Sequence, residues 1–384
     1  MKKKFYIATT IPASFNFFKG QLANWKKYFE ICAISSDKER LREAGEREGV
    51  KTYHIPMRRH VSLFWDIWCL LKFIFLFIRE RPYIVHGNTP KASLLSMVAA
   101  WITRRPIRIY MCHGLRYQTT KGLGRKVLMT MEKISCSCAT EVICVSHGVK
   151  KILEEDKLCP ANKSVVLGHG TAGGVDLKYF DRKLIEDTSS IRTTMGLPPD
   201  AFIFLFAGRV VKDKGVNELV EAFDRLSKEN DRIYLIMIGN MESQLDPVNE
   251  KTMSIIQDNK HIIALGRQND VRPFYRDSDA LVLPTYREGI GMVLIEAGAM
   301  GLPSITTDIP GCNEVIIPSV NGDLVPAQDS EMLYKKMKEW INMPDKLKEY
   351  GKEGIKMMTE RYDKRIVCEN TLNEYLRLAQ VGKQ

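Results

Sequence analysis

Pro284 to Val315 reads PTYREGIGMVLIEAGAMGLPSITTDIPGCNEV, and the fold turns on it. An apolar run, Ala280–Leu283, precedes it and ends at proline, the pattern of a short buried strand. Gly289 and Gly291 then bracket the entry to an amphipathic helix that runs from Met292 to about Met300. Gly301-Leu302-Pro303 closes the helix, and a second apolar strand follows at Ser304–Thr306. Strand, glycine loop, helix, strand is the layout in which the free N–H groups of a helix N-terminus hold a phosphate. Two carboxylates lie eight residues apart in it: Glu288 in the loop and Glu296 in the second helical turn, its side chain tilted back toward the N-terminus. One carboxylate beside a diphosphate and another accepting from a vicinal diol would suit a nucleotide-sugar.

Working outward, the second half of the chain opens with another buried strand, Ala201–Phe206, followed by AGRVVKDKG and a helix at Val216–Leu226. Arg209 and Lys214 stand five apart on that loop and can converge on an anion beside a helix N-terminus. Further strands are expected at Ile233–Ile238 and His261–Leu265, with Arg267 just past the latter. Asp277-Ser278-Asp279 spells D-x-D but falls before a strand at a helix end, the wrong setting for a metal, and no metal is expected. Ser330 is placed as the cap of a helix at Glu331–Ile341, with two more at Asp345–Tyr362 and Arg365–Leu378.

The stretch resembles the Glu-x7-Glu signature of retaining GT-B glycosyltransferases of family 4 (group 1), in particular the bacterial polysaccharide and lipid-linked-oligosaccharide sugar transferases. Pro284, Thr285, Glu288, Gly289, Ile290, Leu294, Glu296, Ala297, Ala299, Gly301, Pro303 and Ile305 match it. Gly208, Arg209, Lys214 and Gly215 resemble the family's donor-diphosphate clamp, which offsets charge on the departing diphosphate where other enzymes use a metal. Gly174, Val175, Asp176 and Phe180 resemble its interdomain hinge, and His113 in HGLR a histidine that meets the donor sugar from the N-terminal domain.

The resemblance implies an α/β protein of two Rossmann-like, doubly wound parallel-sheet domains facing across a cleft: 1–172 for the acceptor, 173–361 for the nucleotide-sugar, and 362–384 as a helix crossing back. It implies Arg209 and Lys214 on the diphosphate, Glu296 on the ribose and Glu288 on the transferred sugar. His113 would touch that sugar, the N–H groups of Gly291, Met292 and Val293 the phosphate, and Arg267 the base. No cofactor beyond the nucleotide-sugar is expected.

At 384 residues the chain is long enough for two domains. Its net charge of +11 is uneven. Residues 1–172 carry 29 Lys/Arg against 13 Asp/Glu, whereas 173–384 carry 28 against 33. So basic a first half expects an anionic partner, a membrane surface or a phosphate-bearing substrate, and no nucleic-acid module accompanies it. Nine scattered cysteines without C-x-x-C point to a reduced protein without disulfides or zinc. Met1-Lys-Lys-Lys followed by Phe5–Ala8 is too short for a signal peptide, so a first strand is expected there.

The first half reads as a strand at Lys4–Ala8, a loop at Thr9–Asn16 and a helix at Phe17–Phe29. TTIPASFNFFKGQL resembles the family's opening loop, but Ser14 and Phe15 replace its usual Gly-Gly, so no phosphate contact is assigned. VSLFWDIWCLLKFIFLFI, Val61–Ile78, is nearly long and apolar enough to span a bilayer, yet Asp66 and Lys72 interrupt it. It reads as a helix half packed on the sheet and half offering Trp65, Trp68 and phenylalanines to an anionic membrane surface, beside Arg58, Arg59, Lys72, Arg79 and Arg81. A wholly buried helix and a transmembrane one are the alternatives. His86 and His113 both lie at carboxyl ends of expected strands, where doubly wound sheets bind ligands; His86 is read as structural.

These expectations converge on a cytoplasmic glycosyltransferase at the inner face of the cell membrane, moving sugar from a UDP-hexose or UDP-N-acetylhexosamine to a polyprenyl-diphosphate-linked acceptor in capsule, O-antigen, exopolysaccharide or glycoprotein glycan assembly. The alternatives are a soluble family-4 transferase with a small or polysaccharide acceptor and a non-catalytic nucleotide-sugar or nucleic-acid binding protein. A nicotinamide dehydrogenase is disfavoured because no G-x-G-x-x-G follows the first strand.

Overall fold

The computed structural model describes residues 2–185, 189–242 and 246–381. The chain divides into two compact units, one running to Gly174 and completed by the chain from Lys364, the other Val175–Asp363. The first is built on seven strands: β1 (Lys3–Ala8), β2 (Phe29–Ser35), β3 (Lys51–His54), β4 (Ile84–Asn88), β5 (Ile107–Cys112), β6 (Glu141–Cys144) and β7 (Ser164–Val166). The second has six: β8 (Phe202–Ala207), β9 (Ile233–Ile238), β10 (Ile262–Gly266), β11 (Ala280–Leu283), β12 (Ser304–Thr307) and β13 (Gly322–Val325).

The strand orders are 3-2-1-4-5-6-7 and 10-9-8-11-12-13, with every pair parallel. Parallel strands joined by helical crossovers are covered on both faces, which is why β8 and β11 are apolar along their whole length and almost wholly buried. Each sheet reverses its winding once, between β1 and β4 in the first unit and between β8 and β11 in the second. The loops leaving the carboxyl ends of those strands splay apart, and ligands bind there in such sheets.

Several local readings are corrected. The helix expected over Phe17–Phe29 is a 3-10 segment, Pro12–Phe18, then a short helix, Gln21–Trp25, and β2 begins at Phe29. Phe15, Phe18, Leu22 and Trp25 keep helical spacing and are buried, but Gly20 at φ +79° turns the chain between the two pieces. The Glu48 carboxylate accepts the Gly20 N–H and holds that turn. At the far end Asp329, not Ser330, caps the Ser330–Ile341 helix by accepting the Met332 N–H at 2.9 Å. The Gly122–Cys138 helix and strand β13 were not anticipated.

The apolar segment is a helix, Leu63–Glu80. It buries Cys69, Phe73, Leu76 and Phe77 and leaves Phe64, Leu71, Phe75 and Ile78 exposed, so it is not wholly buried. Trp68 is outward, whereas Trp65 is turned back, its indole N–H donating to the Pro56 carbonyl at 2.5 Å. Asp66 is compensated by Lys91 at 2.8 Å, both largely out of solvent, and Lys72 lies 4.0 Å above the Trp68 ring. Among the described residues no helix is long and apolar enough to cross a membrane.

The Lys364–Val381 helix packs within the first unit. Lys3 Nζ donates to the Ala379 carbonyl at 2.5 Å, Arg377 lies 3.6 Å from Glu141, and the Tyr375 ring stands edge-on to Trp25.

Candidate active site

In the Val175–Asp363 unit, the loops leaving β8 and β11 at the switch point carry Arg209, Lys214 and Glu288. Backbone and side-chain bonds tie the two loops together. The Asp213 carbonyl accepts from the Tyr286 N–H at 2.9 Å and the Thr285 hydroxyl at 3.2 Å, and the Asp213 carboxylate pairs with Arg287 at 2.7 Å. Tyr286 in turn donates to Glu218 at 2.6 Å on the helix that follows the first loop. Gly215, at φ +68°, ends that loop against the Pro284 carbonyl, and a Cβ there would sit 1.9 Å from its oxygen. Only glycine lets the two loops approach this closely.

On this frame Lys214 and Glu288 form an ion pair, each about one-sixth exposed. Arg209 pairs with Glu242 at 3.0 Å and is more open to solvent. Gly208 begins the loop, its N–H bound to the Ile238 carbonyl at 2.9 Å. Arg267 is exposed on the turn after β10.

The Met292–Ala299 helix starts at Gly291 without a side-chain cap. Of the three amides expected to be free there, Gly291 donates to the Gly311 carbonyl at 2.9 Å and Met292 to Ile290 at 2.8 Å, so two are already engaged. The Val293 N–H has no acceptor among the described residues. A lone amide at a helix N-terminus still carries the positive end of the helix dipole.

Glu296, one turn in, accepts the Tyr275 hydroxyl at 3.0 Å. Burial pushes its carboxyl up to about 7, and the Tyr275 bond only partly offsets that. Glu296 is therefore poised between charged and neutral at physiological pH, a state that the sequence did not announce. Asp277 and Asp279 are both consumed by structure: Asp277 binds Arg276 at 2.6 Å and the Ile191 N–H, and Asp279 binds Arg192 at 2.7 Å and the Ile203 N–H.

In the unit that runs to Gly174, the switch point lies between β1 and β4, and His113 follows β5 beside it. Phe17, from the segment after β1, stacks on the His113 ring at 5.1 Å. Asn88, the last residue of β4, has its Oδ1 3.2 Å from His113 Nε2. Burial lowers His113 to about 4, so its ring is neutral near pH 7. His86 is wholly buried and lowered to about 3, a structural histidine as the sequence suggested.

Sequence reasoning missed Glu242, Tyr275, Asn88 and Phe17. Asn88 had a signal, since it stands two residues past His86 at a strand's carboxyl end. Tyr275 had none, because no spacing rule links it to Glu296.

Comparison with known proteins meets this geometry. The pattern of the glycosyl transferases group 1 matches residues 187–357, the nucleotide-sugar side of the expectation, and that of glycosyltransferase family 4 matches residues 26–172. The chain is 32% identical to the capsular polysaccharide biosynthesis glycosyltransferase CapM of Staphylococcus aureus over 97% of both chains. It is 27% identical to the UDP-Gal:alpha-D-GlcNAc-diphosphoundecaprenol alpha-1,3-galactosyltransferase of Escherichia coli, over 73% of this chain and 72% of that one. The solved structure of Anabaena HepE in complex with UDP-glucose superposes with a TM-score of 0.79 at 16% identity, covering 97% of this chain and 99% of that one. The two parallel sheets are thus those of the GT-B fold, and the chain belongs to the group 1, family 4 glycosyltransferases and is an enzyme of sugar transfer.

Proposed function

We propose that this enzyme moves a hexose or N-acetylhexosamine, with retention at the anomeric carbon, from a UDP-sugar to a polyprenyl-diphosphate-linked sugar in the assembly of a capsule or related surface glycan. The observation that carries the reading is the Lys214–Glu288 pair between the loops leaving β8 and β11, with Arg209 on the same loop and the Val293 amide at the adjacent helix start. A diphosphate is a stronger anion for Lys214 and Arg209 than a single carboxylate. Its arrival would exchange partners: the cations turn to phosphate, and Glu288 is released to accept hydroxyls of the transferred sugar. As the glycosidic bond breaks, charge grows on the leaving diphosphate, and both cations and the Val293 N–H already face that charge, so no metal is needed. Glu296 accepts from the ribose diol, Arg267 borders the base, and neutral His113 meets the transferred sugar.

The E. coli relative is named for a UDP-sugar donor and a diphosphoundecaprenol-linked acceptor, and HepE has been solved with UDP and with UDP-glucose, which supports this choice of partners. The exposed aromatic face of the Leu63–Glu80 helix, flanked by Arg58, Lys72 and Arg79, suits peripheral docking on an anionic bilayer at the cytoplasmic side, where such a lipid-linked acceptor would be met.

Thermal stabilisation by UDP-, GDP-, ADP- and TDP-sugars tests the donor, because a ligand held only by the folded state raises the unfolding temperature. The best donor is then offered with a polyprenyl-diphosphate sugar in vesicles and with a free sugar. Stabilisation by UDP-sugars and transfer to the lipid-linked acceptor are expected; transfer only to the free sugar would replace the acceptor assignment.

A further inference from the structure

Three helices of the unit that runs to Gly174 share one face of its sheet. In the strand order 3-2-1-4-5-6-7, the crossovers from β3 to β4, β4 to β5 and β5 to β6 all step in one direction. Right-handed crossovers of one direction lie on one face of a parallel sheet. Their helices, Leu63–Glu80, Pro90–Ile102 and Gly122–Cys138, therefore form one layer, in which the middle helix packs against both of the others. All three begin at the edge where the strands end, the edge that carries His113.

Each helix turns an apolar stripe away from the sheet. The first exposes Phe64, Trp68, Leu71, Phe75 and Ile78, three or four residues apart. The middle one leaves Leu94 and Val98 half-buried and Trp101 exposed, at spacings of four and three. The third exposes Leu123, Val127 and Ile134, at spacings of four and seven, and every residue from Lys121 to Val127 is open to solvent. Such spacings keep each set on one side of its helix. A monomer in water seldom leaves so broad an apolar set uncovered.

The free charges on this layer have one sign. Residues 58–138 carry 14 Lys/Arg against 3 Asp/Glu. Each of the three acids is held: Asp66 by Lys91 at 2.8 Å, Glu80 by Lys4 at 3.0 Å and Arg79 at 2.9 Å, and Glu132 in the interior by the Tyr110 hydroxyl. Lys121, Arg125, Lys126 and Lys133, beside the third stripe, are exposed and make no ion pair among the described residues. An anionic bilayer meets both features, its acyl chains taking the stripes and its headgroups the cations.

We propose that the three helices together are the membrane-docking face, with the Gly122–Cys138 helix as a second anchor on anionic lipid. This rests on the docking already proposed for the Leu63–Glu80 helix and extends it from one contact to a plane. Two anchors on either side of a third helix fix the tilt that a single helix leaves free. The sheet then lies along the bilayer, with the His113 edge facing along the membrane surface. A lipid-linked acceptor reaches that edge past the N-terminal ends of the helices without leaving the membrane.

The experiment is flotation of the full-length protein with vesicles of phosphatidylglycerol and phosphatidylethanolamine, with phosphatidylcholine vesicles as the neutral control. Leu123→Glu with Val127→Glu alters side chains 78% and 46% exposed, so the melting temperature should hold. The pair should weaken binding to the anionic vesicles about tenfold or more. Arg125→Gln with Lys126→Gln, which leaves the apolar stripe intact, should also weaken it about tenfold or more. Phe64→Glu with Phe75→Glu tests the other anchor by itself. Loss in that last variant, with unchanged binding in both Gly122–Cys138 variants, would overturn the second anchor and leave the first standing. No vesicle binding by the unaltered protein, or equal binding to neutral vesicles, would overturn the docking face as a whole. A dimer in solution that Leu123→Glu with Val127→Glu dissolves, without vesicle binding, would give the face to a second copy of the chain and overturn the proposal as well.

Discussion

Tyr275→Phe should make donor binding depend on pH in a displaced way. The hydroxyl donates to Glu296 at 3.0 Å, and Tyr275 is itself about 1% exposed, so little water can replace the bond. Burial already holds Glu296 at about 7, and the tyrosine bond is the force that lowers it. A hydrogen bond to a charged group is worth about 1.5–3 kcal/mol, and 1.36 kcal/mol corresponds to one pKa unit, so removing it raises Glu296 by about one to two units. The ionised fraction at pH 7 then falls from about half to about a tenth or less. A carboxylate accepts from a diol roughly twice as strongly as a neutral group, so affinity for a UDP-sugar should drop about fivefold or more at pH 7 and recover toward pH 9. Calorimetric titration from pH 6 to pH 9 reads this directly: wild-type affinity rises through about 7, and the variant's rise is displaced upward. Superimposable profiles, or affinity flat with pH in both proteins, would refute the ribose role of Glu296 and the part given to Tyr275.

Lys214→Ala should lower turnover by roughly 10²-fold or more with the fold intact, as for other lost donors to a developing charge, read in a sugar-transfer assay; near-normal turnover would end its assignment to the diphosphate. Glu132, buried against Tyr110 at 2.5 Å and pushed up to about 7 from 4.5 mainly by burial, binds its proton more tightly folded than unfolded. Its contribution is present below pH 4.5 and lost as pH rises to about 7, about 3 kcal/mol in all, so Glu132→Gln should flatten the fall in stability over that window in denaturant titrations. Phe64→Glu with Phe75→Glu alters side chains 89% and 61% exposed and should leave the melting temperature nearly unchanged. It should weaken sedimentation with anionic vesicles by about 10²-fold or more, since burying each phenylalanine in lipid is worth about 1.5–3 kcal/mol.

The switch-point loops were legible because their information is local. Glycines that a helix start requires and an apolar strand before them marked these loops without any knowledge of the sheet, and the resemblance to the family's motifs singled out Arg209, Lys214, Glu288 and Glu296 on them. What stayed hidden are pairings made across the fold. Arg209 meets Glu242 across 33 residues and Glu296 meets Tyr275 across 21, and neither separation follows a helical or strand period. The state of Glu296 was equally hidden, since a carboxyl's charge depends on how much water the packed unit leaves beside it. The same limit explains the misread helix at Phe17–Phe29. Its buried positions keep helical spacing, and the turn at Gly20 is held by Glu48, which the local pattern cannot include.

The C-terminal helix has a consequence for how the chain is made. Strands β1 to β7 emerge from the ribosome first, yet the surface formed by Phe5, Trp25 and His86 stays uncovered until Tyr375 has been synthesised. Residues 175–363, by contrast, are continuous in sequence and can close around their own core as soon as they have emerged. The half translated first is thus the half finished last. Any chain released before Lys364 would carry a complete second unit beside a first unit with an aromatic face open to water, the kind of surface on which chaperones and proteases act.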